Sequence, residues 1–152
     1  MQITRFTDLS LRVLMYLTVP PDSGPVTIDE IATRFDVSRH HLAKVVHRLG
    51  QSGWIVATRG KGGGLALAQP PSQYRLGEVV RELEGGESLI DCTSQPCVLL
   101  QGCNVRAALN DAQQAFYERL DTYTLADVVR QQTATSIIAL HRGRRPSSPV
   151  TA

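Results

Sequence analysis

Three cysteines within twelve residues, Cys92, Cys97 and Cys103, are the part of this 152-residue sequence best equipped for chemistry. Four readings compete. Unrelated core cysteines would fall on periodic apolar positions, and these do not. A reactive thiol pair wants a CxxC spacing or a helix N-terminus, whereas the spacers here are four and five residues. Zinc takes thiolates from a short C-x₂₋₄-C knuckle, which Cys92 and Cys97 just fit, plus a fourth ligand. An iron–sulfur cluster suits the wider, looser spacing, and three thiolates leave one iron corner for a ligand that is not a cysteine. Spacing alone keeps both metal readings open. An odd thiol count in a chain without export features argues against a disulfide scaffold.

The second constellation is basic. From Arg34 to Lys61 stand six basic residues, Arg34, Arg39, Lys44, Arg48, Arg59 and Lys61, against one acid, Asp36. The first 75 residues hold nine Lys/Arg and five Asp/Glu, the remainder seven and nine, so the net charge of +2 conceals a basic N-terminal half. Such a field attracts a polyanion, unless it is simply a solvated face; the elements that carry it decide. The glycine run Arg59-Gly60-Lys61-Gly62-Gly63-Gly64 is not a mononucleotide loop, because no Ser or Thr follows Lys61 and the run lies between strands. No acid–base pair or nucleophile–base spacing appears either, so a regulator is expected rather than an enzyme.

Apolar periodicity supplies the positioning elements. Ile3, Phe6, Leu9, Val13, Leu14 and Leu17 predict a helix over residues 4–18, with Arg5, Asp8 and Arg12 off its buried stripe. Pro20 to Pro25 closes it. Thr27-Ile28-Asp29-Glu30 forms a capping box for a short helix, in which Glu30 reaches back to Thr27. Ser38 then N-caps a second helix, from about Arg39 to Gln51. Leu42, Val45, Val46 and Leu49 face inward there, while Arg39, His40, His41, Lys44, His47 and Arg48 cover the remaining surface. This is the helix-turn-helix pattern.

Trp54–Thr58 and Leu65–Ala68 read as strands, with Arg59 and Lys61 on a glycine-rich hairpin tip, a wing. The DNA-contacting set is therefore Ser38, Arg39, His40, His41, Lys44 and Arg48 on the helix, with Arg59 and Lys61 on the wing. A helix over Leu76–Leu83 follows, ended by Gly85-Gly86. Residues 88–103 lack periodicity and carry the thiols. Asn104 to about Leu120 repeats Val105, Leu109, Ala112, Phe116 and Leu120, a stripe that a second subunit can cover. A further capping box, Thr124-Leu125-Ala126-Asp127, starts a short helix. Ile137, Ile138 and Leu140 give a last apolar contact before a disordered end bearing three arginines.

The fold class is mainly α with a small β-hairpin wing: a winged helix-turn-helix plus a long dimerisation helix. Residues 1–75 form the DNA-binding domain, 76–131 the thiol loop and dimerisation helix, and 132–152 a C-terminal segment. A chain of this length buries about 68–70% of its unfolded surface, enough for such a unit but not for a two-lobed enzyme. No apolar run reaches the roughly 20 residues that span a bilayer, and a cytoplasmic location is expected.

With those elements laid out, the chain resembles the NsrR-type repressors, nitric-oxide sensors in the winged-helix family that includes IscR-like and RirA-like iron–sulfur regulators. The resemblance runs from residue 1 to about 131. It is carried by Ile3–Asp8 (ITRFTD), Val37–Val46 (VSRHHLAKVV), Arg59–Leu65 (RGKGGGL), Val79–Glu84 (VVRELE) and Asp121–Asp127 (DTYTLAD). It implies a homodimeric repressor that binds a double-stranded DNA operator and carries one [4Fe-4S] cluster per subunit. Cys92, Cys97 and Cys103 fall on the family's thiolate positions, and Asp8 of the partner subunit is the implied fourth ligand. Nitric oxide, the implied signal, would release the operator of detoxification genes. The IscR-like branch places a histidine soon after the third cysteine; here Asn104-Val105-Arg106 follow, and no histidine occurs before His141. The alternatives are a cluster regulator responding to iron supply or redox state, and a winged-helix regulator with a structural zinc.

Overall fold

The computed structural model describes residues 2–21, 24–60, 62–86, 89–92, 94 and 97–143. Its elements run α1 (Arg5–Thr18), α2 (Ile28–Phe35), α3 (Arg39–Gln51), β1 (Ile55–Ala57), β2 (Leu65–Leu67), α4 (Leu76–Leu83), α5 (Asn104–Asp121), α6 (Leu125–Val128) and α7 (Gln131–His141). The mostly helical class with a two-stranded antiparallel hairpin is the one expected from sequence.

Hydroxyl caps set several helix starts. Thr4 accepts from Thr7 N, Thr27 from Glu30 N, Ser38 from His41 N and Thr124 from Asp127 N. At Thr124 the box is reciprocal, Asp127 accepting from Thr124 N at 2.9 Å and from its hydroxyl at 2.7 Å. The expected return bond at Thr27 is corrected: Glu30 Oε1 instead accepts the Tyr16 hydroxyl at 2.6 Å, joining α2 to α1. Burial, then that bond to Glu30, raises the Tyr16 phenol well above its ordinary value, so it remains a donor.

Between α2 and α3 the chain turns at Asp36, a non-glycine residue at φ 53 whose N–H bonds Ala32 O. Leu42, Val45, Val46 and Leu49 of α3 pack into one core with Leu9, Val13, Leu14 and Leu17 of α1 and with Ile31 and Ala32 of α2. Ile55 and Leu65 join from the hairpin, and Tyr74, Val79, Leu125, Val129 and Ile137 from beyond it. Each buried side chain of this size contributes about 1.5–3 kcal/mol, so α1, with Leu9, Val13, Leu14, Tyr16 and Leu17 buried, and α3, with four such residues, carry most of the core.

The hairpin pairs Ile55 with Leu67, Val56 with Ala66 and Ala57 with Leu65. Leu65 N also bonds Val26 O at 2.7 Å, a third chain segment at the wing's base. The glycines there do different jobs. Gly60 and Gly62 take φ of 97 and 85, while a Cβ on Gly63 would strike the Thr58 carbonyl and one on Gly64 would strike Pro25 and Val26. Lys61, expected at this tip, lies outside the described residues, as does the arginine-rich end beyond Gly143.

One contact fixes the second half on the first, and another packs the second half on itself. Glu84, just past α4, accepts from Thr4 N at 2.9 Å and Thr4 Oγ1 at 3.0 Å, completing the cap of α1. Gly77 lets α4 lie directly against Tyr117 O and Asp121 of α5, and Asp121 Oδ1 accepts from Glu78 N at 2.8 Å. The C-terminal segment departs from expectation: the apolar contact at Ile137 and Leu140 belongs to an 11-residue helix, α7. His141 anchors its end, with the ring stacked 4.0 Å from Tyr16 and a ring nitrogen 2.8 Å from Val19 O. The bond acceptor is a carbonyl, so that nitrogen donates.

Candidate nucleic-acid interface and thiol loop

Burial divides α3 in two. Its inward residues are Leu42, Val45, Val46 and Leu49; Arg39, His40, His41, Lys44 and His47 are exposed. Ser38, also exposed, is spent on capping, its Oγ accepting His41 N at 3.1 Å. The helix contains no acidic residue. Its two arginines are nonetheless engaged. Arg39 Nε lies 2.5 Å from Asp29 Oδ1 of α2. Arg48, only partly exposed, reaches Glu82 of α4, 3.4 Å to its carbonyl and 3.5 Å to its carboxylate. Arg59 is exposed at the start of the wing. The sequence-derived set omitted His47, although it follows Lys44 by three residues and so shares its face.

Asp8 sits in the first turn of α1, exposed, with Arg12 NH2 at 2.8 Å. It lines an open cleft of about 340 Å³ together with Arg5, Leu9, Arg12, Val37, Ser38 and His41. Asp8 is thereby brought beside the first turn of α3, a juxtaposition that spacing in the sequence does not reveal.

The thiols occupy the irregular connection between α4 and α5. Cys92, Cys97 and Cys103 are free of disulfides; Cys97 is exposed and the other two are half-buried. Leu100 N bonds Cys97 O in a tight turn, Gly102 takes φ 83, and Cys103 is the first residue before α5. Among the described residues, no group of three His, Cys, Asp or Glu side chains is gathered closely enough to hold a metal ion. The donor set nevertheless fits a thiophilic centre, three unpaired thiols on one loop with no cystine to break.

The surroundings of that loop are apolar and uncovered. Val98 is 99% exposed, Leu99 65% and Val105 63%, and Tyr117 is the buried residue of α5. Leu109, Phe116 and Leu120 are only half-buried. Exposed apolar surface of this extent on a small chain marks an interaction site.

The Rrf2 family, described as iron-dependent transcriptional regulator, matches residues 3–131. Among solved structures, the chain is similar to CymR, the global cysteine regulator of B. subtilis. Identity is 27% and the TM-score 0.68, over 84% of this chain and 95% of that one. S. aureus CymR is 25% identical with a TM-score of 0.64, over 84% and 98% of the two chains. T. potens IscR, at 23% identity and a TM-score of 0.67 over 85% and 86%, bears on the fold alone.

Proposed function

The chain belongs to the Rrf2 family of DNA-binding transcriptional regulators, and on that premise we propose that it is a homodimeric repressor that senses nitric oxide through a [4Fe-4S] cluster. The observation that carries the sensing half is the loop with three unpaired thiols between α4 and α5. Cys92, Cys97 and Cys103 would hold the cluster in one subunit, with Asp8 of the partner subunit as the fourth ligand. When bound, the cluster would supply iron able to bind nitric oxide.

The chain's own residues do the reading. The basic, acid-free outer face of α3 enters the major groove, while Arg59 and Lys61 on the wing contact backbone or the adjacent minor groove. Two subunits related by a two-fold axis read a two-fold symmetric operator. Asp8 shares its cleft with Ser38 and His41, so a change in what Asp8 binds acts beside the first turn of the reading helix. That shared cleft supports a coupling between the two sites, with the cluster-bound and nitric-oxide-treated forms as its two states.

The exposure of Val105 on α5 and of the Val98–Leu100 segment supports the dimer, in which a second copy would cover them. The absence of a histidine between Cys103 and His141 supports an aspartate ligand over an IscR-like one. Anaerobic purification tests the cofactor. We expect a brown protein with iron and acid-labile sulfide in equal amounts, lost from the Cys97→Ser variant. A colourless protein that carries zinc instead would overturn the reading.

A further inference from the structure

Arginine is the side chain best suited to reading guanine, and α3 carries two of them, yet both are already committed. Arg39 is held at 2.5 Å by Asp29 and Arg48 by the carbonyl and carboxylate of Glu82. Moving either onto a base breaks a tie between α3 and a neighbouring helix, although Glu82 keeps its bond from Ser52 Oγ and Asp29 is open to solvent. Of the remaining exposed residues, His41 lines the cleft beside Asp8, and three others form a row. With Leu42, Val45, Val46 and Leu49 turned inward, His40, Lys44 and His47 stand exposed at i, i+4 and i+7 on the opposite face. That spacing follows one helix face for about 10 Å, the rise of roughly three base pairs.

We infer that sequence reading by this helix falls to the row His40–Lys44–His47, with His47 its third rung, and that Arg39 and Arg48 are positioning residues. The inference rests on the DNA-binding role of the family and not on the iron–sulfur cluster. The chemistry of the row specifies its target. Lys44 has donors only, and a neutral imidazole offers one N–H and one acceptor. Two imidazoles and an ammonium, with no carboxylate on the helix, present mainly donors. The matching major-groove edge is acceptor-rich: purine N7 and guanine O6 over consecutive base pairs. Arg39 acts through α2 and Arg48 through α4, each fixing the angle at which the row is presented.

The test uses the full-length protein and a set of operator duplexes, each carrying one base-pair substitution. Affinities are measured for the parent and for His47→Ala, Arg48→Ala and Glu82→Ala, with circular dichroism confirming that each variant folds. His47→Ala should lose discrimination at one base pair, by about tenfold or more, and leave the other positions discriminated as before. Arg48→Ala and Glu82→Ala should match each other, weakening binding to every duplex by a similar factor. The inference is overturned if His47→Ala weakens all duplexes equally, or if Arg48→Ala relaxes preference at a single base pair. A parent protein that binds no duplex would contradict the DNA-binding premise instead, which keeps the two failures distinct.

Discussion

Two carboxylates illustrate how much a single residue carries here. Asp8 is exposed and ion-paired to Arg12, so α1 does not need it for packing. Asp8→Ala should therefore spare folding and cluster assembly while weakening the coupling of the cluster to operator release. Nitric-oxide release of the operator from that variant, measured by fluorescence anisotropy, should require more nitric oxide than in the parent. Identical release curves would remove Asp8 from the mechanism. Glu84 is the structural counterpart. Burial pushes its carboxyl up, but hydrogen bonds from Thr7 and Thr4 outweigh that and hold it below its ordinary value. A carboxylate lowered in the folded state gives stability that is present above the unfolded value, about 4.3, and lost as pH falls through the folded one. Glu84→Ala should cost on the order of 1 kcal/mol at neutral pH, as a lost helix cap does. The gap to the parent should close on acidification below about pH 4, measured by urea unfolding.

At the scale of elements, two packing contacts make sharp forecasts. Gly77→Ala puts a methyl into the Tyr117 carbonyl where α4 crosses α5. Overpacking of this kind costs about 1–3 kcal/mol, which for a chain of this size lowers Tm by roughly 2–4 °C per kcal/mol. An unchanged melting curve would mean that the crossing yields. His141→Ala removes the ring stacked on Tyr16 and its bond to Val19 O. Amide exchange across residues 131–141 should rise while the inward residues of α3 keep their protection; a uniform rise would assign His141 to global stability.

The same elements show what a sequence reveals. The starts of α2, α3 and α6 were legible because Thr27, Ser38 and Thr124 are local signals, satisfied within three residues. The wing was legible from glycines between two short apolar runs. Helix α7 was not. It has no side-chain cap, begins at a Gln131 of φ 45, and mixes β-branched Thr and Ile residues with a single buried position, Ile137. Its stability comes from docking on α1, a partner more than a hundred residues away. The redirection of Glu30 to Tyr16 and the placing of Asp8 in one cleft with His41 escaped for the same reason: both depend on tertiary packing that spacing does not encode. The thiols, clustered in sequence, needed no such help.

For the whole molecule, the fold places the basic helix α3, an aspartate and a thiol loop on separate elements around one core. Within one chain the α5 stripe is only partly covered, and Val98, beside Cys97, is fully exposed. Rrf2 regulators commonly form dimers, and in the function proposed above a second copy would make this arrangement a two-fold reader. On the function proposed above, chemistry at the thiol loop sets the grip of α3 on DNA. The direct test follows visible absorbance and operator binding in one anaerobic sample as nitric oxide is added stepwise. The absorbance of the cluster and the fraction of DNA bound should fall together over the same additions. Loss of the chromophore with operator binding unchanged would contradict it.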